Sequence, residues 1–86
     1  MKIYIEVKIH AATDTKGKRI SCQAKEQSRK YFPWDHKLNP HENLRVAAES
    51  YCQVLLAARG YAIDNIPPLR EYESVKTGLP IGYVWE

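Results

Sequence analysis

In "KIYIEVKIH", residues 2–10, the apolar residues Ile3, Ile5, Val7 and Ile9 alternate with Tyr4, Glu6, Lys8 and His10. Successive side chains of a β-strand point to opposite faces, so this period predicts a strand with one dry and one wet side. The constraint is strong, because a sheet built on such a strand needs cover on one face only. "TDTKGK" follows, with Asp14 and Gly17 suited to a tight turn, and "RISCQAK" resumes the alternation with Ile20, Cys22 and Ala24 inward. These two segments read as a hairpin. In "SRKYFPW" the pattern returns once more, placing Phe32 and Trp34 on one face and Arg29 and Tyr31 on the other. Pro33 has no backbone donor, which predicts that this third strand lies at a sheet edge or ends early.

The period then changes. Asn39 caps a helix, Pro40 takes its first position, and Glu42 stands three residues after the cap, where its carboxylate can return a bond to the Asn39 amide. Leu44, Ala47, Ala48, Tyr51, Leu55 and Ala58 recur at spacings of three, four and seven, and Gly60 after Arg59 stops the run. A helix of about 20 residues would span roughly 30 Å. Ala47 and Ala48 allow it to lie close to the sheet. Val46, Val54 and Leu56 either widen its buried stripe or leave an apolar strip exposed. "YAIDNIPPL" reads as a connecting loop because of Pro67 and Pro68, and "REYESVK" and "IGYVWE" as two strands joined at "TG". The expected fold is one α+β domain over residues 1–86. Its mostly antiparallel sheet has four or five strands in the order ββ(β)αβ(β), with one long helix on one face.

At 86 residues, with 44% hydrophobic and 27% charged residues, the composition is that of an ordinary globular chain. No apolar run approaches the roughly 18 residues that a membrane span needs, and the N-terminus alternates instead of forming a signal-peptide core. A cytoplasmic protein that makes no membrane contact is expected. Charge is uneven: residues 1–37 carry nine Lys/Arg against four Asp/Glu, net +5, and residues 38–86 carry four against six, net −2. Such asymmetry suits an acidic partner at the N-terminal half, although a solvated sheet face looks the same.

Several chemistries lack their motifs. His10, His36 and His41 come from different elements, and no CxxC or HxxxH spacing exists, so surface or capping roles suit them; an approach of His36 to His41 across the strand-to-helix junction would support only weak, adventitious metal binding without function. Cys22 lies on the inward parity and Cys52 beside the helical stripe, which predicts a reduced, buried, inert pair. The four glycines are isolated and none opens a helix, so no phosphate cradle is present. Asp35 and Glu42 are accounted for by turn and cap roles. No cofactor, no metal and no catalytic residue is assigned, and a non-enzymatic protein is expected.

What remains is a surface. The outward parity of the first three strands collects Lys8, His10, Arg19, Lys25 and Arg29, with Tyr4 and Tyr31 among them and Glu6 interrupting. Cations beside rings suit single-stranded nucleic acid, which is bound through phosphates and stacked bases. Tyr and Arg are equally the residue types of protein-protein hot spots. Tyr4, Lys8, Arg19, Lys25, Arg29 and Tyr31 are therefore the candidate binding residues, for a protein partner first and a nucleic acid second.

The run "YFPWDHKLNPHENLRVAAESYCQVLLAARGY", followed at a distance by "GLPIGYVW", resembles small uncharacterised proteins of bacteriophages and mobile elements. The likeness covers about the last 58 residues and rests on an aromatic-Pro-aromatic-Asp strand end, an Ala-rich helix and a Gly-aromatic strand. Proteins of that kind include anti-CRISPR and other anti-defence inhibitors, so the resemblance implies a small inhibitor that occupies the surface of a host protein complex. A net charge of +3 disfavours mimicry of a phosphate backbone by the whole surface. Only Glu71, Glu73 and Glu86 would imitate such charge locally.

Overall fold

The computed structural model describes residues 3–60, 69–73, 76 and 78–85. Strands β1 (Ile3–His10), β2 (Arg19–Ala24) and β3 (Lys30–Pro33) precede the helix α1 (Pro40–Ala58), and β4 (Arg70–Glu73) and β5 (Pro80–Trp85) follow it. All five strands join one antiparallel sheet in the order β3-β2-β1-β5-β4, and α1 covers one face of it over β1, β2 and β5. This is the α+β arrangement expected, with both optional strands present. The connecting loop at 61–68 and the Thr77 end of the "TG" turn lie outside the described residues.

The alternation of β1 is reproduced in its burial: Ile3, Ile5 and Val7 are buried, and Tyr4, Glu6 and Lys8 are exposed. Ile9 departs from it at 36% exposure, and Ala58 is likewise exposed. Both lie near the ends of their elements, past the last residues that the opposite layer covers. The helical stripe also divides in a way that spacing alone leaves open. Leu44, Ala48, Cys52 and Leu56 are all buried, whereas Val46 and Val54 are exposed. A step of four residues overshoots one 3.6-residue turn, so this buried row winds round the helix toward its C-terminal end and leaves Val54 behind.

The strand-to-helix junction is held by two asparagines. Asn39 Oδ1 accepts from the Glu42 amide at 2.8 Å, and the Glu42 carboxylate accepts from the Asn39 amide at 3.4 Å. Asn43, itself buried, does more. Its Nδ2 donates to the carbonyls of Asp35, Leu38 and Asn39 at 2.9, 3.1 and 3.1 Å, and its Oδ1 accepts from the Asp35 amide at 2.8 Å. Asp35 in turn accepts from the Lys37 amide at 2.9 Å, the turn role expected of it.

At the other end of β2, the hydroxyl of the fully buried Tyr51 accepts from the Ala24 amide at 3.1 Å and donates to the Ser28 carbonyl at 2.8 Å. One side chain of α1 thereby satisfies two backbone groups of the β2–β3 connection, where Glu26 has a positive φ of 62°. Pro33 sits on the edge strand as predicted. The Trp34 amide donates inward to Lys18 O at 3.3 Å, and donors alternate sides along a strand, so the missing N–H of Pro33 falls on the open edge. That edge is blunted against further strand pairing.

Candidate partner-binding face

Register brings residues from all five strands onto the sheet face opposite α1. Tyr31 pairs with Ser21 and Ser21 with Lys8; Pro33 pairs with Arg19 and Arg19 with His10; Tyr72 pairs with Gly82 and Gly82 with Glu6. No described element covers these side chains. Tyr4, Tyr31 and Tyr72 are 46%, 52% and 42% exposed.

The rings form two groups. On one side Tyr4 and Tyr72 tilt against each other with centroids 5.8 Å apart, and Tyr4 lies over Gly82. On the other, the Tyr31 and His10 rings are 5.6 Å apart, the Arg19 guanidinium carbon stands 5.4 Å from the Tyr31 ring centre, and His10 Nε2 lies 2.8 Å from Ser21 Oγ. Arg19 Nη1 is buried yet has no hydrogen-bond partner.

Most of the other cations on this face are tied to neighbours. Lys8 Nζ is 3.5 Å from a Glu6 carboxylate oxygen. Arg29 Nε and Nη2 both donate to Gln23 Oε1, at 3.2 and 3.0 Å. Of the six residues predicted, Tyr4, Lys8, Arg19 and Tyr31 stand on the strands of this face, and Arg29 reaches it from just before β3. Lys25 does not belong to the strand array. β2 ends at Ala24, and Lys25 lies in the turn beyond, on the rim of an open cleft of about 590 Å³ lined also by Tyr4, Glu6, Gln23 and Gln27. Tyr72 was not anticipated. The alternation in "REYE" puts it on the same parity as Arg70, but only pairing with β5 determines which parity is outward.

A second cluster lies on the helix side, at the β4 edge. Glu71 Oε2 is 3.0 Å from His41 Nε2, and Glu71 Oε1 accepts from Arg45 Nη2. Burial alone would raise the Glu71 carboxyl, but the bonds from His41 and Arg45 outweigh it and hold the group below the ordinary carboxylate range. At the junction, His41 Nε2 is engaged by Glu71 of β4, a partner that spacing along the chain does not point to. His41, Glu71 and Glu73 have ligand atoms within 4.8 Å of one another. The Arg45 guanidinium already occupies one Glu71 oxygen, so the group is better suited to tie α1 to β4 than to take a cation. Glu71 is also spent as a mimic of phosphate charge, and Glu86 lies outside the described residues.

Tyr83 is fully buried close to this pair, and burial, with the Glu71 charge next, pushes its phenol well above the usual range. Cys22 and Cys52 are free and fully buried, and burial pushes their thiols up to about 12 and about 11. Among the described residues no helix is long and apolar enough to cross a membrane. No known protein family, curated protein or solved structure matches this chain.

Proposed function

We propose that this protein acts by binding a protein partner through the outer face of its sheet, and that it performs no chemistry of its own. The supporting observation is the pairing of exposed rings: Tyr4 with Tyr72 and Tyr31 with His10, each pair in contact before any partner arrives. Side chains held in this way lose little rotamer freedom on docking, and Tyr is among the residue types enriched at interface hot spots. The carboxylate on this face favours a protein over a nucleic acid. A phosphate track needs an unbroken row of cations, whereas Glu6 stands 3.5 Å from Lys8 and interrupts this one. In the reading that the phage-protein resemblance implies, the partner is a host protein complex in the cytoplasm, inhibited by occupation of its surface.

The test is capture from host lysate with and without nuclease, followed by titration of the purified partner against Tyr31→Ala and Tyr72→Ala. Retention after nuclease is expected, with a loss of about 2 kcal/mol or more for at least one of the two tyrosines. A complex that nuclease abolishes would favour single-stranded nucleic acid stacked on the same rings. Binding that ignores both substitutions would move the interface elsewhere.

A further inference from the structure

We infer that the Arg19 corner of this face receives a carboxylate, so that the segment of the partner docking there is acidic. This rests on the protein-binding reading above and adds the chemistry of what is bound. Arg19 Nη1 is buried without a hydrogen-bond partner, a costly state for a charged group, and the guanidinium is braced over Tyr31 at 5.4 Å. The Tyr31 ring limits where the guanidinium can swing, and a guanidinium fork suits a planar two-oxygen acceptor.

The surroundings agree in sign. Lys8 stands diagonally across the β1–β2 register from Arg19, and Lys16 precedes it in the hairpin connection. The only acidic side chain among the described residues of the outer face is Glu6, which faces Lys8 and not Arg19. Asp14 is the one acid in the hairpin connection. This corner complements a carboxylate that reaches the Arg19 guanidinium as the partner packs against Tyr31, while a single guanidinium is too small to follow a polyphosphate chain.

The experiment measures fluorescence anisotropy of a labelled oligoglutamate of about twelve residues, with labelled oligothymidylate of similar length as the second arm. Wild type, Arg19→Ala, Arg19→Lys and Lys37→Ala are compared, the last removing equal charge in the exposed turn that precedes the helix. Arg19→Ala is expected to weaken the oligoglutamate about tenfold or more, and Arg19→Lys nearly as much, because lysine keeps the charge but loses the fork. Lys37→Ala should change it by less than about twofold. Thermal unfolding of each variant separates lost binding from lost folding, and Arg19→Lys serves if Arg19→Ala does not fold. Equal losses for Arg19→Ala and Lys37→Ala would overturn the inference, as would tighter binding of oligothymidylate or no binding of oligoglutamate. If the acidic probe fails while Tyr72→Ala still abolishes capture of the protein partner, the inference falls and the protein-binding reading stands.

Discussion

Tyr4 lies across the backbone of Gly82, so closely that a Cβ built on Gly82 would stand 2.4 Å from the Tyr4 hydroxyl oxygen and 2.6 Å from its ring carbon Cζ. The absent side chain on β5 is what lets the Tyr4 ring lie flat and meet Tyr72. Gly82→Ala should therefore lift the ring, cost about 1–3 kcal/mol, and weaken partner binding together with Tyr72→Ala. In a Tyr4→Ala background the same substitution should be neutral or slightly stabilising, because alanine suits a strand interior better than glycine. A double-mutant cycle in urea reads the coupling, and additive losses would show that the two residues do not constrain each other.

Tyr51→Phe preserves the packed ring and removes only the hydroxyl shared by Ala24 and Ser28. The buried Ala24 amide then loses its partner, at a cost of about 1–3 kcal/mol, while the Ser28 carbonyl, on an exposed residue, can turn to water. The denaturation midpoint should fall with the m-value unchanged. An unaltered midpoint would mean that water replaces the hydroxyl without loss.

The two asparagines of the junction should rank in an order opposite to their prominence in the sequence. Asn39→Ala removes an exposed cap and should cost about 0.5–2 kcal/mol. Asn43→Ala leaves three carbonyls and one amide without the side chain that now serves them, and should cost more, at least about 2 kcal/mol. Chemical denaturation of both variants decides the order.

Glu71 should contribute to the acid limb of stability. Its folded-state carboxyl titrates below its unfolded value, so the unfolded chain takes up the proton first as pH falls. The stabilisation is fully present above the unfolded value, near pH 4.3, and is lost as pH drops through the lower folded one. Glu71→Gln should lower stability at pH 7 and flatten the decline below about pH 4.5 relative to wild type. Parallel curves for the two proteins would show that the contacts with His41 and Arg45 carry no net free energy.

Cys22 and Cys52, with thiols pushed up to about 12 and about 11 by burial, hold almost no thiolate at pH 8. Native protein should react with a thiol reagent orders of magnitude more slowly than protein in concentrated urea. Fast native labelling of either thiol would place it nearer the surface than this packing allows.

Local pattern by itself determined the elements and their order. Alternation in residues 3–9 and 20–24, the missing donor of Pro33, and the Asn39–Glu42 cap each act through the backbone of a few adjacent residues, so their consequences are legible without knowing what lies opposite. The basic and aromatic parity of β1–β3 was readable for the same reason, and four of the six predicted binding residues stand on the strands of one face. What tertiary structure decided depends on partners distant in sequence. Tyr51 reads as an apolar stripe member until its hydroxyl meets Ala24, 27 residues away, and His41 reads as a junction residue until β4 brings Glu71 to it across 30. Tyr72 joins the outer face of the sheet, and Lys25 leaves the strand array, through the β4–β5 register and the end of β2 at Ala24. Spacing along the chain fixes the direction of a side chain relative to its own strand or helix, but contact and charge compensation are set by which elements pair and in what register.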